Sequence, residues 1–423
     1  MFDLFLRKEP KIFVGIDIGS DAIRALSLSK TASGFQIENF NVQSLPEQAV
    51  QQGEVKDRDA VLAALQKIRA AIGVTDVAVA VSGSSVISKV ISLDQNLSEH
   101  EVEAQVWLEA SNIFPQKSEN MSVDFFKLKE NAGTDKKMNV MLVAARAESV
   151  DLRCTILSEA GFNVRVVDVD HFALANACQY FLSQDDKILP QSTTAIFNFR
   201  HPVVSLIILR DGMVVYTREV MLESGGELPP QELSGEVLVT EKANEQPQEL
   251  SNETSTEEKP NEEIIESFDA SSLAEKTSGE STELTDELPL EEKASGESTE
   301  LTDELSLAEK TSEVPEEPPK QAPTKSKFSG LVTQMRRALQ FFYSASESHD
   351  LDRIVLTGDV KDIKQDEFIN QIKETMNLDV LFANPFKNIS MSKFVDQKLL
   401  DEVAASMMVS FGLTLRGFDD VTH

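Results

Sequence analysis

The chain has 423 residues and a formal net charge of −31, but the charge is concentrated: Glu227 to Gln321 hold 28 Asp/Glu against six Lys, a net of −22, and the other 328 residues carry −9. At roughly 150 residues per domain, that remainder predicts about two domains with room for a sizeable core. No apolar run reaches the ~18–20 residues that span a bilayer, and no basic stripe offers itself to nucleic acid. The opening MFDLFLRKEPK lacks the apolar stretch of a secretory signal. Cys154 and Cys178 have neither metal-ligand nor CxxC spacing, which suits a reducing cytoplasm.

At the start of the chain, Phe2, Leu4 and Phe5 followed by Arg7 and Lys8 read as a frayed or docking terminus. Lys11–Ile18 (KIFVGIDI) is a β-rich apolar run ending at the turn Gly19-Ser20-Asp21. With Ala22–Leu28 and the run through Phe35, Ile37 and Phe40, it predicts a three-stranded meander. Val61, Leu62, Leu65, Ile68 and Ile72 recur at helix spacing over 57–72, and DVAVAVS (76–82) predicts a short buried strand. Another strand is expected over 86–93. Ser98 with Glu101 three residues on forms a capping-box pattern. It opens a helix through Val102, Val106, Leu108 and Ala110 that stops at Phe114-Pro115.

Strands follow at 122–128 and 138–144, a helix from Ala147 to Ala160 stopped by Gly161, a strand over 164–169 and a helix over 172–182. Between 193 and 220, TTAIFNF, VVSLIIL and MVVYTREV predict three strands, with Asp211-Gly212 as a hairpin turn. The acidic segment repeats SGESTELTDEL at 278–288 and 295–305. Two copies without aromatic side chains cannot stack into a solenoid, and low hydrophobicity with high charge predicts disorder. The segment reads as an extended linker or as an acidic docking arm. Structure resumes near Phe328, with Leu331, Met335, Leu339 and Phe342 on one helical face. A strand over 353–356 ends at Thr357-Gly358-Asp359, and a helix, a short strand at 380–382 and a final helix over 399–415 complete the chain.

The chemical feature is Gly15-Ile16-Asp17-Ile18-Gly19-Ser20. A buried strand delivers Asp17 to its end, Gly19 lets backbone N–H groups converge on an anion, and Ser20 adds a hydroxyl. The Asp17 carboxylate can hold a hydrated divalent cation beside a phosphate. An ordinary hairpin turn is the competing reading. Strand-DIGS-strand-strand-helix opens the actin-like ATPase fold. Further along, VISKVISLDQNLSEHEVEAQVWLEASNIFP, MLVAARAESVDLRCTILSEAGFNVRVVDVDHFALANA, ALQFFYSASESHDLDRIVLTGD and ANPF follow in order and spacing. Together they resemble the PilM family of type IV pilus assembly, over 12–220 and 328–416.

That resemblance implies an α/β, two-lobed, actin-like (RNase H-like) fold with an inserted small subdomain, interrupted by a disordered acidic segment. A docking segment would occupy 1–10. The first lobe would span 11–85 and 164–190 around an inserted subdomain at 86–163. The second would span 191–226 and 325–395 around the acidic insertion at 227–324, and a C-terminal helix at 396–418 would return to the first lobe. The resemblance implies ATP and Mg2+ as ligands, with Asp17 as metal ligand and Asp17, Gly19, Ser20, Asn198 and Gly358 around the nucleotide. It implies binding of the cytoplasmic N-terminal tail of a PilN-like inner-membrane protein, in a groove involving the first subdomain and its inserted partner. It also implies a place at the inner face of the inner membrane, with the platform proteins PilN, PilO and PilP, the motor ATPases and self-assembly into a ring.

The sequence departs from the family at several points. The second phosphate hairpin of the family has Asp-Ile-Gly and a small residue where this chain has Asn198-Phe199-Arg200-His201-Pro202. Asn198 keeps a polar oxygen without the charge, Arg200 replaces a Gly, and Pro202 removes an N–H. Arg200 reads as a surface turn residue, with a phosphate contact as the second reading. Asp359 adds negative charge beside Gly358, and the acidic segment stands where relatives carry a lid over the nucleotide. Phosphoryl transfer needs both jaws of the cleft. These losses predict a scaffold with weak or absent ATP and Mg2+ binding. The alternative is an active ATP-hydrolysing switch controlling platform assembly, which the Gly19-Ser20 turn favours. Trp107 reads as a core or interface residue, or as a partner contact. Asp168, Asp170 and His171 read as a polar strand end and helix cap, and Phe341–Tyr343 as core.

Overall fold

The computed structural model describes residues 11–32, 34–113, 120–128, 136–185, 188, 192–200, 202–221, 235–237, 328–346, 350–360 and 365–418. The segment 1–10 and the acidic repeats lie outside the described residues, as does all of 227–324 except 235–237.

β1 (Ile12–Ile18) is apolar but for Asp17 because sheet neighbours flank it on both sides and it is buried from Phe13 on. It pairs antiparallel with β2 (Ala22–Thr31), which pairs antiparallel with β3 (Gly34–Ser44). Two short strands, β4 (Val50–Gln51) and β5 (Glu54–Val55), form a small hairpin. α1 (Arg58–Ile72) starts where Asp57 accepts the Ala60 N–H at 3.0 Å, and ends at Gly73 with φ 78°. Its Val61, Leu65, Ile68 and Ile72 face the sheet. β6 (Asp76–Val81) then runs parallel to β1.

The inserted unit follows: β7 (Val86–Asp94), α2 (Glu99–Ile113), β8 (Met121–Lys127) and β9 (Lys137–Arg146). They form a three-stranded antiparallel sheet, β7-β9-β8, on which α2 lays Val102, Val106 and Ala110. The capping box closes as the sequence predicts, with the Ser98 N–H donating to Glu101 at 2.8 Å and the Glu101 N–H reaching Ser98 Oγ at 3.4 Å. The chain returns to the first lobe through α3 (Ala147–Glu159), β10 (Asn163–Val169) and α4 (Asp170–Ser183). α3 falls within the inserted span read from the sequence, but its Ile156 and Leu157 are buried in the same cluster as Leu65 and Ile68 of α1.

The second lobe consists of β11 (Thr193–Arg200), β12 (Val203–Arg210), β13 (Met213–Met221), the short β14 (Gly235–Val237), α5 (Ser329–Ala345), β15 (Arg353–Gly358), α6 (Gln365–Met376) and β16 (Asp379–Phe382). Its sheet order β13-β12-β11-β15-β16 repeats β3-β2-β1-β6-β10 of the first lobe. In each, three antiparallel strands are followed by two parallel ones. This duplicated RNase H-like unit is the two-lobed actin-like arrangement. Phe342 of α5 is buried, whereas Phe341, expected in the core, is 41% exposed beneath the Arg218 guanidinium, 3.7 Å from its ring centroid.

Finally β17 (Ser390–Met391) joins β3, and, after α7 (Gln397–Val403), α8 (Met408–Arg416) comes back against the first lobe. The single helix expected over 399–415 is interrupted by a 3-10 turn at Ala404–Met407. The Ser406 and Ser410 hydroxyls donate to carbonyls three residues back, each at 2.9 Å, which suits the tighter winding. α8 approaches its neighbours through two glycines. A methyl at Gly15 would meet the Ser410 carbonyl at 2.0 Å, and one at Gly412 the Ala173 carbonyl at 1.8 Å. Around α4 and α8, one core takes Leu26 and Leu28 from the first sheet and Ile196, Ile207 and Val355 from the second, so the lobes share a continuous base.

Candidate functional site

The lobes face each other across a cleft of about 870 Å³ at the ends of β1 and β11. Asp17, Gly19, Ser20, Asn198, Arg200 and Glu219 are among its walls. The residues singled out in the first hairpin therefore meet Asn198 of the second. Gly358 sits behind that second hairpin, at φ 88°, in a small separate cavity. A side chain there would lie 2.2 Å from the Phe199 carbonyl and 2.8 Å from Asn198 Oδ1.

Charge is arranged across the cleft in a crossed pattern. Asp17, buried at the end of β1, receives both terminal nitrogens of Arg200 from β11, Nη1 at 3.0 Å and Nη2 beside it. Arg24, buried on β2, donates to Asp21 Oδ2 at 2.7 Å and to both oxygens of Asp359 at 2.9 and 3.0 Å. The first lobe thus gives the acid to one interlobe pair and the base to the other. Arg200 is not the surface turn residue expected from the sequence; its guanidinium is turned inward because Asp17 is there to receive it. The Asp359 charge, expected to burden a polyphosphate, is answered by Arg24. Sequence reasoning passed over Arg24, whose signal was a lone cation inside the apolar strand AIRALSL.

Burial works against the charge on Arg200, but Asp17 overrides it and raises the guanidinium above its ordinary value. Arg24 behaves likewise, with Asp21 and Asp359 prevailing over burial and over the repulsion of Arg200. Burial opposes the charge of Asp21, yet its bond to Arg24 holds it below the usual carboxylate value. Asp359 is raised, because burial and the neighbouring Asp21 outweigh Arg24.

Deeper in, Asp170 opens α4 and accepts the Gly83 N–H at 2.8 Å. Burial raises its carboxyl against the pull of Arg200. Glu219 on β13 is pushed to about 7, first by burial and then by Asp170, with Arg200 and a Ser205 hydrogen bond opposing. His171 is held at about 4 by burial, which keeps it neutral at pH 7. Asp168 binds Arg416 at 3.0 Å, so Asp168 and Asp170 serve two separate contacts. Among the described residues no group of three or more His, Cys, Asp or Glu is placed to hold a metal. Buried Arg153, also missed from sequence, donates to the Ser149 carbonyl at 3.0 Å and to the Gly53 carbonyl, fixing the β4–β5 wall of the cleft.

These donors do not suit a magnesium phosphate group. Both oxygens of Asp17 are engaged by Arg200. The Gly19 N–H, which would point at an anion, is spent on the Ala22 carbonyl at 3.0 Å. Beside the turn, the Nη1 atoms of Arg24 and Arg200 both stand 3.2 Å from where a Gly19 Cβ would be. Both guanidinium groups are already committed to carboxylates of the chain itself.

A second surface lies where the inserted sheet meets the first lobe. Phe126 on β8 is 44% exposed and meets the Phe172 ring of α4 edge-on at 5.9 Å. Val167, on β10, is 36% exposed. Among the described residues, β8 and β10 are the edge strands of their sheets, each paired on one side. Trp107, expected in a core or interface, is 42% exposed on α2, next to the 54% exposed Leu108.

The family model described as type IV pilus assembly protein PilM matches residues 15–276 and 303–418. Its gap, 277–302, begins beside the first acidic repeat and ends within the second. Among solved structures, the chain is similar to the PilM-PilN type IV pilus biogenesis complex at 16% identity, covering 96% of this chain and 98% of that one, with a TM-score of 0.61. It also matches a Bacteroides thetaiotaomicron protein with actin-like ATPase fold and unknown function, at 12% identity, 92% and 96% coverage and a TM-score of 0.38. A third match is the cytoplasmic domain of EpsL, an inner membrane component of the type II secretion system of Vibrio cholerae, at 13% identity, 50% and 71% coverage and a TM-score of 0.32. At 16% identity, the first likeness is one of fold.

Proposed function

The chain belongs to the PilM family of type IV pilus assembly proteins, and we propose that it is a scaffold that holds the cytoplasmic N-terminal tail of a PilN-like inner-membrane protein without help from nucleotide. A solved relative is a PilM-PilN complex. Among the described residues of this chain, no helix is long and apolar enough to cross a membrane. The partner would hold the scaffold at the inner face of the inner membrane.

The observation that carries this reading is the β8 sheet edge, unpaired on one side among the described residues and carrying the exposed ring of Phe126. An edge strand offers unpaired N–H and C=O groups to an extended peptide, and neighbouring apolar side chains add the specificity. Phe126 and Phe172 supply an aromatic anchor where the peptide would pass.

Calorimetric titration with a synthetic peptide of the partner's first residues tests the proposal. The peptide should bind equally with and without Mg-ATP. Phe126→Ser should weaken it by about tenfold or more, since truncating an aromatic anchor costs about 2 kcal/mol or above. No binding in either condition would sink the scaffold reading. Micromolar binding of Mg-ATP itself would restore the switch.

A further inference from the structure

We propose that the Asp17–Arg200 and Arg24–Asp359 pairs form an internal substitute for a bridging ligand, and hold the two lobes closed with no nucleotide bound. The inference rests on the reading of the cleft as unsuited to magnesium phosphate and goes beyond it, because it assigns the intruding groups a task.

The pairs are placed to do this. Each joins one lobe to the other, so parting the lobes breaks both. Asp17 and Arg24 are nearly inaccessible, with side chains 3% and 4% exposed, and Arg200 is 17% exposed. Burial limits screening by salt at the Asp17–Arg200 pair, whereas Asp359 of the second pair is 31% exposed. The Asp17–Arg200 contact is a two-nitrogen fork, which fixes orientation as well as distance, while Arg24 reaches both Asp359 oxygens through Nη2 alone. At the other end of the molecule the lobes already share the core around α4 and α8. The remaining freedom is the parting of the lobes across the cleft, which the two pairs span.

A ligand shifts a conformational equilibrium only by its differential affinity for the two states. A nucleotide entering this cleft would have to displace Arg200 from Asp17 before it could bridge anything. Closure is therefore set by the chain itself, and the surface between the first lobe and the inserted sheet is presented in one geometry whatever the nucleotide supply.

Hydrogen–deuterium exchange of the full chain tests this at the two hairpins, 17–24 and 198–205. In the wild type, exchange should be slow and unchanged by millimolar Mg-ATP. Arg200→Ala and Arg24→Ala should each speed it in both hairpins by about tenfold or more, since the loss of a buried pair frees a local opening. Arg200→Lys keeps the charge without the fork and should fall between; it also serves where the alanine variant fails to fold. Mg-ATP protection of the wild-type hairpins would overturn the proposal, as would variants that exchange at the wild-type rate. Titrating the tail peptide on the same samples separates the two readings: loss of tail binding with unchanged exchange would count against the scaffold and leave the internal bridge standing.

Discussion

Asp17 shows how one residue type can serve opposite ends. A carboxylate at the tip of a buried strand, ahead of Gly19 and Ser20, has the makings of a cation ligand, and only the residue facing it decides the outcome. Here that residue is Arg200, which takes both oxygens. The consequence for stability is asymmetric. Removing one partner leaves the other charge buried and unanswered, so Asp17→Asn should lower the unfolding free energy by about 3–5 kcal/mol. Replacing both by apolar residues of similar size, Asp17→Leu with Arg200→Met, should cost less than the single change, because neither half of the pair is left stranded. Urea denaturation of the three proteins checks the order. A double variant less stable than Asp17→Asn would mean that the pair contributes more than its desolvation takes away.

Among the elements, the parts governed by local rules were legible and those governed by distant contacts were not. The meander from β1 to β3, the capping box of Ser98 and Glu101, and the Asp57 start of α1 follow from periodicity and side-chain-to-backbone bonds between near neighbours. The break between α7 and α8 escaped notice because the apolar pattern runs straight through it. So did the membership of α3 in the first lobe, which depends on what Ile156 and Leu157 meet across space. Arg24 and Arg200 were equally opaque, since an inward cation is recognisable only with its acid in view.

Gly412 belongs to this class of distant constraint. Nothing nearby in the sequence announces that the Ala173 backbone will pass within a methyl's reach. Gly412→Ala should push α8 from α4 and lower stability by about 2–3 kcal/mol, the cost of overpacking against backbone that cannot yield. Thermal unfolding reads the loss, and an unchanged midpoint would show that the helices can separate freely.

For the molecule as a whole, the −31 charge says little about the frame, which is mildly acidic outside the 227–321 segment. Its pH dependence should instead come from buried groups around the cleft. Glu219 lies at about 7 in the folded state against an ordinary 4.5. The folded protein holds that proton more tightly than the unfolded chain, so the contribution to stability is full below pH 4.5 and is lost as pH rises through about 7. His171 runs the other way, at about 4 against an ordinary 6.5. Its contribution is present above pH 6.5 and is lost as pH falls through about 4. Between pH 4.5 and 6.5 the two slopes oppose each other and hide one another in the wild type.

Differences between variant and wild type separate them. For Glu219→Gln, the stability difference should climb in the variant's favour from pH 4.5 to about 7, by up to about 3 kcal/mol at about 1.4 kcal/mol per unit, and level off above. For His171→Asn, it should climb as pH falls from 6.5 towards 4 and be flat above 6.5. Urea unfolding across pH 4 to 8 measures both. Asp170, raised by burial and in the same electrostatic neighbourhood, remains in each variant and cancels to first order in the difference. A flat Glu219→Gln difference would mean that water in the cleft solvates the carboxyl and leaves its proton no tighter than in the unfolded chain.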